Sequence, residues 1–548
     1  MPPFLSIFYS FFDIFDRLLV PYTKLMIGNR FLLFFYQASY MIFAKNIPRR
    51  SMKTLFDRFK HLFDPIDLTK GSILKGLIAF MIPILLSMIF QQLYTMTDAI
   101  IVGQNLDTYE IAGINDVGCI SNIALQFCVG ATSGFSVVIS HKTGENDEEG
   151  VRKSFYLQAW LCLALTIILT LAFCLGTDGL LTMMKINPSE SDPNQQLLYD
   201  SAHDYLFIIF LGIFATMAYN FIFSNLRALG DSFIPFLFLV LGVVSNIGLD
   251  VLFIVPLKWG VKGSAWATVL SQAIAALACL IYAFIKYKNL HYHRGDLKVS
   301  KAFIMEHLKL GLPLGLQSAI LQIGIIIMQM GVIAFDYTPD GNLVAGTPAQ
   351  VGYSVACKVH LIIMNVYSSV GTALLTYLGQ NYGSKKDDRI KKGLAYGTLI
   401  GIISWAVLTA IGLLITINGA YMYIFLKPDN ITPEAIRYGN LYLYLCIPCD
   451  VILLILFICR NSLQGLNRPL FPFLAGIGEL TARTLCCLLL PSLVNGGPTS
   501  SEASSASYLA VCLADPLAWM FAVAIMIVPL IKAVYGKKKI AEIEKLFK

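Results

Sequence analysis

In FQQLYTMTDAIIVGQ, residues 90–104, a carboxylate (Asp98) stands inside an apolar segment long enough to cross a bilayer. At the membrane centre such a charge costs ~2.5 kcal/mol or more, so it has either a use or a partner. Two placements are open. Gly103 and Asp107 follow closely, which would suit a helix end facing water; the other is an ionisable group inside a helical bundle. Asp250 favours the second. In NIGLDVLFI (246–254), Asn246 and Asp250 are spaced i, i+4 and share one helix face. Thr268 lies in the next apolar segment. Later segments carry Lys358, Asp450, Glu479 and Arg483. Glu479 and Arg483 are four apart, so a within-helix ion pair is expected, and Lys358 is expected to neutralise Asp450. Asp116, at the mouth of a segment, is expected in water.

The segments that must position these groups are helices. Of 548 residues 56% are hydrophobic and 14% charged, against about a quarter charged in a soluble domain. Twelve apolar stretches approach the ~20 residues of a spanning helix: 73–103, 111–140, 155–176, 203–228, 232–257, 263–285, 308–335, 349–379, 393–418, 434–459, 469–494 and 508–534. A helix satisfies its own backbone in lipid, so an all-α polytopic membrane protein of twelve transmembrane helices is expected. Pro83 and Pro313 each lie early in a span, where a kink or local unwinding is expected. Lys and Arg crowd one set of connections, including Arg152, Lys153, Lys286 and Lys385, and both chain ends. Both termini are therefore expected to be cytoplasmic.

The chain repeats itself. LRALGDSFIPF (226–236) matches LQGLNRPLFPF (463–473) at an offset of 237, and HKTGENDEEGVRKS (141–154) matches QNYGSKKDDRIKKG (380–393) at 239. Each copy holds six spans, an even number, so the halves run parallel about an axis along the membrane normal. The expected organisation is two six-helix bundles, 66–290 and 306–535, joined by a linker at 291–305 and followed by a basic tail at 536–548. Residues 1–65 form an extension. Its aromatic start is expected to lie on the membrane surface or to precede the true start, Met52, and so to be dispensable.

Other chemistry is not encoded. The twelve cysteines sit almost all in apolar runs, including the one CxxC (Cys446, Cys449), and no Cys/His spacing suits zinc. Neither HExxH nor GxSxG is present, which disfavours a membrane-embedded enzyme. No selectivity loop repeats, which disfavours a channel.

LTKGSILKGLIAFMIPILLSMIFQQLYTMTDAIIVGQ, NIGLDVLFI, GVKGSAWATVLSQ (260–272) and the paired LRALGDS and LQGLNRP resemble, in order and duplication, the multidrug and toxic compound extrusion (MATE) transporters over about residues 66 to 540. The resemblance implies a central cavity opening alternately to either side. It implies export of organic, often cationic, compounds in exchange for H+ or Na+, with no cofactor besides the coupling ion. Small organic substrates and membrane lipid are the expected partners, without nucleic acid, for a monomer in the cytoplasmic membrane. In the family's pattern Asp98, Asn246, Asp250 and Thr268 surround the coupling cation. Oxygen ligands suit a hard cation, and paired carboxylates in low dielectric also suit a proton. The family's second ion site uses carboxylates of spans 7 and 10. Here span 7 has Gln317, Gln322 and Gln329 but no acid before Asp336. Met96, Met328, Met330, Tyr353 and Tyr367 are candidates for an adaptable substrate cavity. A lipid-linked saccharide flippase is the competing function; its pyrophosphate would require a more cationic interior than four acids against two bases.

Overall fold

The computed structural model describes residues 64–189, 191–426 and 431–536. The expectations for residues 1–51 and most of the basic tail lie outside them. The described residues are helical apart from connections and one isolated bridge, Tyr337 to Leu343. The first half runs α1 (Ile73–Asn105), α2 (Thr108–Glu145), α3 (Glu148–Met183), α4 (Pro193–Leu211), α5 (Ile213–Ala228), α6 (Phe233–Ile254) and α7 (Gly260–Lys286). The second runs α8 (Lys301–Ile333), α9 (Pro348–Gly383), α10 (Asp387–Thr416), a short α11 (Met422–Phe425), α12 (Pro433–Gly465), α13 (Leu470–Asn495), α14 (Ser505–Cys512) and α15 (Ala514–Tyr535). Counting the bent pair α4–α5 as one span gives twelve membrane-crossing elements.

Local unwinding at the two prolines is one expectation that needs correction, and the start of the fourth span is another. Pro83 and Pro313 lie within continuous helices. One missing N–H does not unwind a span whose other backbone groups have no partner outside the helix. The fourth span also begins earlier than its apolar run. PNQQLLYDSAHD is helical, started by Pro193 at its first position and by Asp192, whose carboxylate accepts from the Asn194 and Gln195 amides. The span then bends by 44° at Gly212. A Cβ there would collide with Val269 of α7, so glycine lets the bend seat against that helix.

By contacts the chain forms two compact units. One holds Leu86–Ser121 and Phe155–Asp296; the other holds Asp67–Leu85, Asn122–Ser154 and the chain from Leu297 onward. In the first, α6 presents buried Val240, Val244, Ile247 and Val251, while α7 presents buried Ala265, Ala267, Ala275 and Ala276. Small side chains bring helices close, which is the main packing device available in lipid. Asp231, in the LRALGDS motif, accepts from the Ile234 amide at 3.1 Å and from Tyr287 Oη at 2.7 Å, and pairs with Lys286 at 3.2 Å. Burial and then the Asp231 charge push the Tyr287 phenol well above its ordinary range.

In the second unit, backbones meet where the repeated motifs lie. A Cβ on Gly144 would strike the Gln380 carbonyl, and a Cβ on Gly383 would strike the His141 carbonyl. Gly144 and Gly383 are equivalent positions of the two copies, 239 apart, as are His141 and Gln380. The contact is therefore reciprocal. His141 Nε2 lies 2.8 Å from the Gly465 carbonyl, and Val137, Val138, Leu310 and Leu375 close a buried cluster beside it. Arg389 holds the segment ahead of α1, donating to the carbonyls of Leu68, Lys70 and Gly71, each at 3.0 Å. Lys386 adds a bond to the Thr69 carbonyl at 2.9 Å.

Valine at Gly144 or Gly383 should therefore lower folded yield and the unfolding midpoint in detergent, by ~1–3 kcal/mol or more, since a rigid carbonyl must move. Gly176 has open space around it, and Gly176→Ala should lose nothing and gain at most about 1 kcal/mol. Equal thermal midpoints for the three variants would contradict the reciprocal contact.

Candidate cation site

Asp98 is not at a helix end: α1 continues to Asn105, and the carboxylate is half-buried inside the first unit. Ser264 Oγ of α7 stands 3.5 Å from Asp98 Oδ1. One turn earlier on α1, Tyr94 Oη donates to Thr268 Oγ1 at 3.3 Å. Asn246 and Asp250, on α6, are both fully buried. Asp250's charge environment is set by Asp98, with no basic group acting on it. The amide nitrogen and oxygen of Asn246 have no hydrogen-bond partner among the described residues, and the Asp250 carboxyl can hydrogen-bond with that of Asp98 only when one of the two carries a proton.

Orphaned buried polar atoms of this kind are costly, by about 1–3 kcal/mol each, unless a cation or proton satisfies them. Three spans, α1, α6 and α7, thus supply Asp98, Asn246, Asp250 and Thr268 to one neighbourhood. α4 adds Tyr205, whose phenol lies within electrostatic reach of both carboxylates. Sequence reasoning missed Tyr94, Ser264 and Tyr205. The first two were findable, each lying four residues before a named site residue on the same helix face; Tyr205 carries no such signal. Beside Tyr94 a small recess of about 40 Å³ opens, lined by Gln91, Tyr219, Leu239, Val243 and Gln272 among others. None of the five Met and Tyr candidates lines it. Met328, Tyr353 and Tyr367 are packed in the second unit, and Met330 is 65% exposed. No three His, Cys, Asp or Glu side chains among the described residues converge as a metal site.

The charges of the second unit are arranged differently. Arg483 Nη2 lies 3.2 Å from Glu479 Oε1, and its Nε donates to Asp515 Oδ1 at 2.9 Å. Arg460 Nη2 reaches the other Glu479 oxygen at 2.7 Å. Lys358 does not neutralise Asp450. It is exposed and lies over the Phe425 ring, whereas His360, about 200° further round α9, places Nε2 2.8 Å from Asp450 Oδ1. Asp336 is occupied at the start of α9, where it accepts from the Ala349 and Gln350 amides, both at 2.8 Å. Arg460, His360 and Asp515 are the members of this set that sequence reasoning passed over. Asp116 is exposed.

A multi-span helical bundle with an unmatched acidic cluster between its spans is the architecture of a secondary transporter. The MatE family model matches residues 83–252 and 342–485, more than half of the chain, so the protein belongs to the MATE family of multidrug efflux transporters. Probable multidrug resistance protein YpnP of Bacillus subtilis is 30% identical over 327 residues, 59% of this chain and 68% of that one. Multidrug export protein MepA of Staphylococcus haemolyticus is 25% identical over 349 residues, covering 62% and 71%. An outward-facing multidrug resistance MATE transporter structure aligns with a TM-score of 0.73 at 19% identity, covering 87% of this chain and 99% of that one. A MOP superfamily transporter of Pyrococcus furiosus aligns at 0.72 and 19%, covering 86% and 99%. These structures share the fold. Members of the family are membrane transporters rather than enzymes.

Arg483 links two acids, so Arg483→Met should cost ~3–5 kcal/mol by stranding Asp515 and leaving Glu479 with Arg460 alone. The double variant with Glu479→Met should cost less than the two single losses together. A double-mutant cycle on thermal unfolding in detergent checks this; additive losses would mean that the pair contributes no coupling energy.

Proposed function

We propose that the protein is a cation-coupled antiporter that exports organic, cationic compounds by alternating access, with Asp98 and Asp250 as the groups that take up the coupling H+ or Na+. The observation that carries this is the pair of neighbouring carboxyls, Asp98 and buried Asp250, which can hydrogen-bond only if one holds a proton, with the unpartnered amide of Asn246 one turn from Asp250 and no basic group acting on either acid. Two anions in one low-dielectric site repel each other, so a cation or a proton is bound most tightly there. Only a difference in that affinity between the two orientations of the transporter can move its equilibrium. Thr268, oriented by Tyr94, and Asn246 serve as neutral oxygen ligands. The recess beside Tyr94 brings amide and phenol groups together with an apolar wall, the kind of lining an organic cation would meet on entering the first unit.

The same electrostatics disfavour a lipid-linked saccharide as cargo, because its pyrophosphate would meet two carboxylates. The relatives named for multidrug resistance and export support a drug-like substrate class. On the asymmetry of Lys and Arg between its connections, the chain crosses the cytoplasmic membrane with both termini inside. No cofactor is required beyond the transported ion.

Asp98→Asn and Asp250→Asn should abolish gradient-driven export of a fluorescent cation in everted vesicles, at unchanged folded yield and with substrate binding retained. Asn246→Ala and Thr268→Ala should reduce it several-fold, since each removes one neutral ligand and no charge. Imposing proton and sodium gradients separately identifies the ion. Full export by Asp98→Asn under a measured gradient would remove Asp98 from the mechanism.

A further inference from the structure

Because the chain is duplicated, the acid pair of the first unit has a counterpart in the second, residue by residue. The offset of 237 runs straight on into α6 and α13, which begin at the equivalent residues Phe233 and Leu470. At that offset Asn246 corresponds to Arg483, Asp250 to Cys487 and Gly242 to Glu479. α1 and α8 match at Pro83 and Pro313, 230 apart, which pairs Asp98 with Met328 and Tyr94 with Gly324. The contacts support this register. Asp98 and Asp250 are neighbours in the first unit. Their counterparts also meet in the second, Cys487 Sγ donating to Met328 Sδ at 3.6 Å.

The differences between the copies all shift charge the same way. The first unit has two carboxyls, the unpartnered Asn246 amide, and no basic group acting on either acid. In the second, the two carboxyls are replaced by a thioether and a thiol, and the amide by a guanidinium. Arg483 has acids of its own: Glu479 Oε1 lies 3.2 Å from its Nη2, and Asp515 Oδ1 lies 2.9 Å from its Nε. The facing helix makes room for it. A Cβ on Gly324 would collide with Arg483 Nη1, whereas the first copy has Tyr94 at the equivalent position. Asn246 and Arg483 are both buried. Buried acids require a cation close by, and the second copy carries its cation on the chain.

We propose that residue 246 and its counterpart 483 decide which copy exchanges its cation: Arg483 is a tethered cation of the second unit, standing in for the ion that the first unit, with Asn246, takes up and releases. The exchange half rests on the antiport reading above; the tethered half does not. A guanidinium attached to the chain is present in both orientations of the transporter, and it does not deprotonate in proteins. It therefore cannot draw on an ion gradient, and only a ligand with different affinity for the two orientations moves their equilibrium. Coupling at this place belongs to the first unit alone. Asn246 is then more than a neutral ligand, because its lack of charge keeps the acid pair open. A basic side chain at 246 would stand one turn from Asp250, at the i, i+4 spacing that pairs charges on one helix face, and would close the site.

Thermal unfolding of the full-length protein in lipid nanodiscs tests this, across a titration of NaCl at constant ionic strength and, separately, a series of pH values. An ion that binds the folded state raises the midpoint, so the parent should respond to its coupling ion. The double variant Asn246→Arg, Tyr94→Gly transplants the arrangement of the second copy. It should unfold no earlier than Tyr94→Gly alone and should lose the response to the ion. Asn246→Lys should lose it as well, while Asn246→Gln, which adds length without charge, should retain at least part of it. In proteoliposomes the double variant should let ethidium equilibrate down its own gradient but show no uphill export under a proton or sodium gradient. A basic variant that folds and still responds as the parent does would overturn the role of residue 246; so would a loss in Asn246→Gln as complete as in Asn246→Lys. The tethered half has its own arm, which does not need the transplant to fold. Methylguanidinium should raise the midpoint of Arg483→Ala saturably and leave that of the parent unchanged; no rise would refute the tethered cation. A parent that responds to neither ion and exports under neither gradient would refute the antiport reading and the exchange half with it, while the methylguanidinium arm still decides whether Arg483 fills a cation site.

Discussion

A charge inside a membrane-spanning helix must be matched close by or it will not be there, and this requirement divides the molecule into two kinds of interior. In the second unit it is met by a hydrogen-bonded partner for each buried charge, although Asp450 Oδ2 and Arg460 Nε have none among the described residues. Arg460 and Arg483 bridge Glu479 and Asp515, and the chain continues through Tyr442 to His360 and Asp450. Removing any member leaves a neighbour exposed to the low dielectric. In the first unit it is not met by the described residues. Asn246 is buried without a partner, and Asp250 meets a second acid, Asp98, with no basic group acting on it. A site that the fold leaves incomplete is one that a transported ion can complete.

Duplication of the chain has a physical consequence. Gly144 and Gly383 are equivalent positions, and each admits the carbonyl of the residue equivalent to the one that the other admits. A repeat related by a twofold makes such contacts in pairs, so the loss of Cβ is required twice. The contacts of Arg389 with the carbonyls ahead of α1 tie the start of one copy to the turn after α9 in the other.

Much of this was legible in the residues. Twelve apolar runs predicted twelve spans, because lipid imposes both length and helicity. The offsets of 237 and 239 disclosed the repeat, and Asn246 and Asp250 announced themselves as polar side chains on one face of an apolar helix. The i, i+4 spacing of Glu479 and Arg483 foretold their proximity, since one helix sets both positions.

What the sequence determined by itself was whatever a single helix or the solvent decides: span count, helicity, orientation bias, duplication, and which polar groups are too costly to be there without reason. What only the tertiary structure decided was which of those groups meet. Lys358 and His360 differ by two positions, and nothing local says which one turns towards Asp450; the packing of α9 on α12 assigns it to the histidine and leaves the lysine outside. Tyr205, carried by α4, comes within reach of Asp98 and Asp250 of two other helices only in the folded chain. Asp336 looked like a late acid of span 7 and is instead occupied by two amides of α9. The physical reason is the same in each case: the energy of a charge depends on what stands within a few ångströms, and helices far apart in sequence provide it.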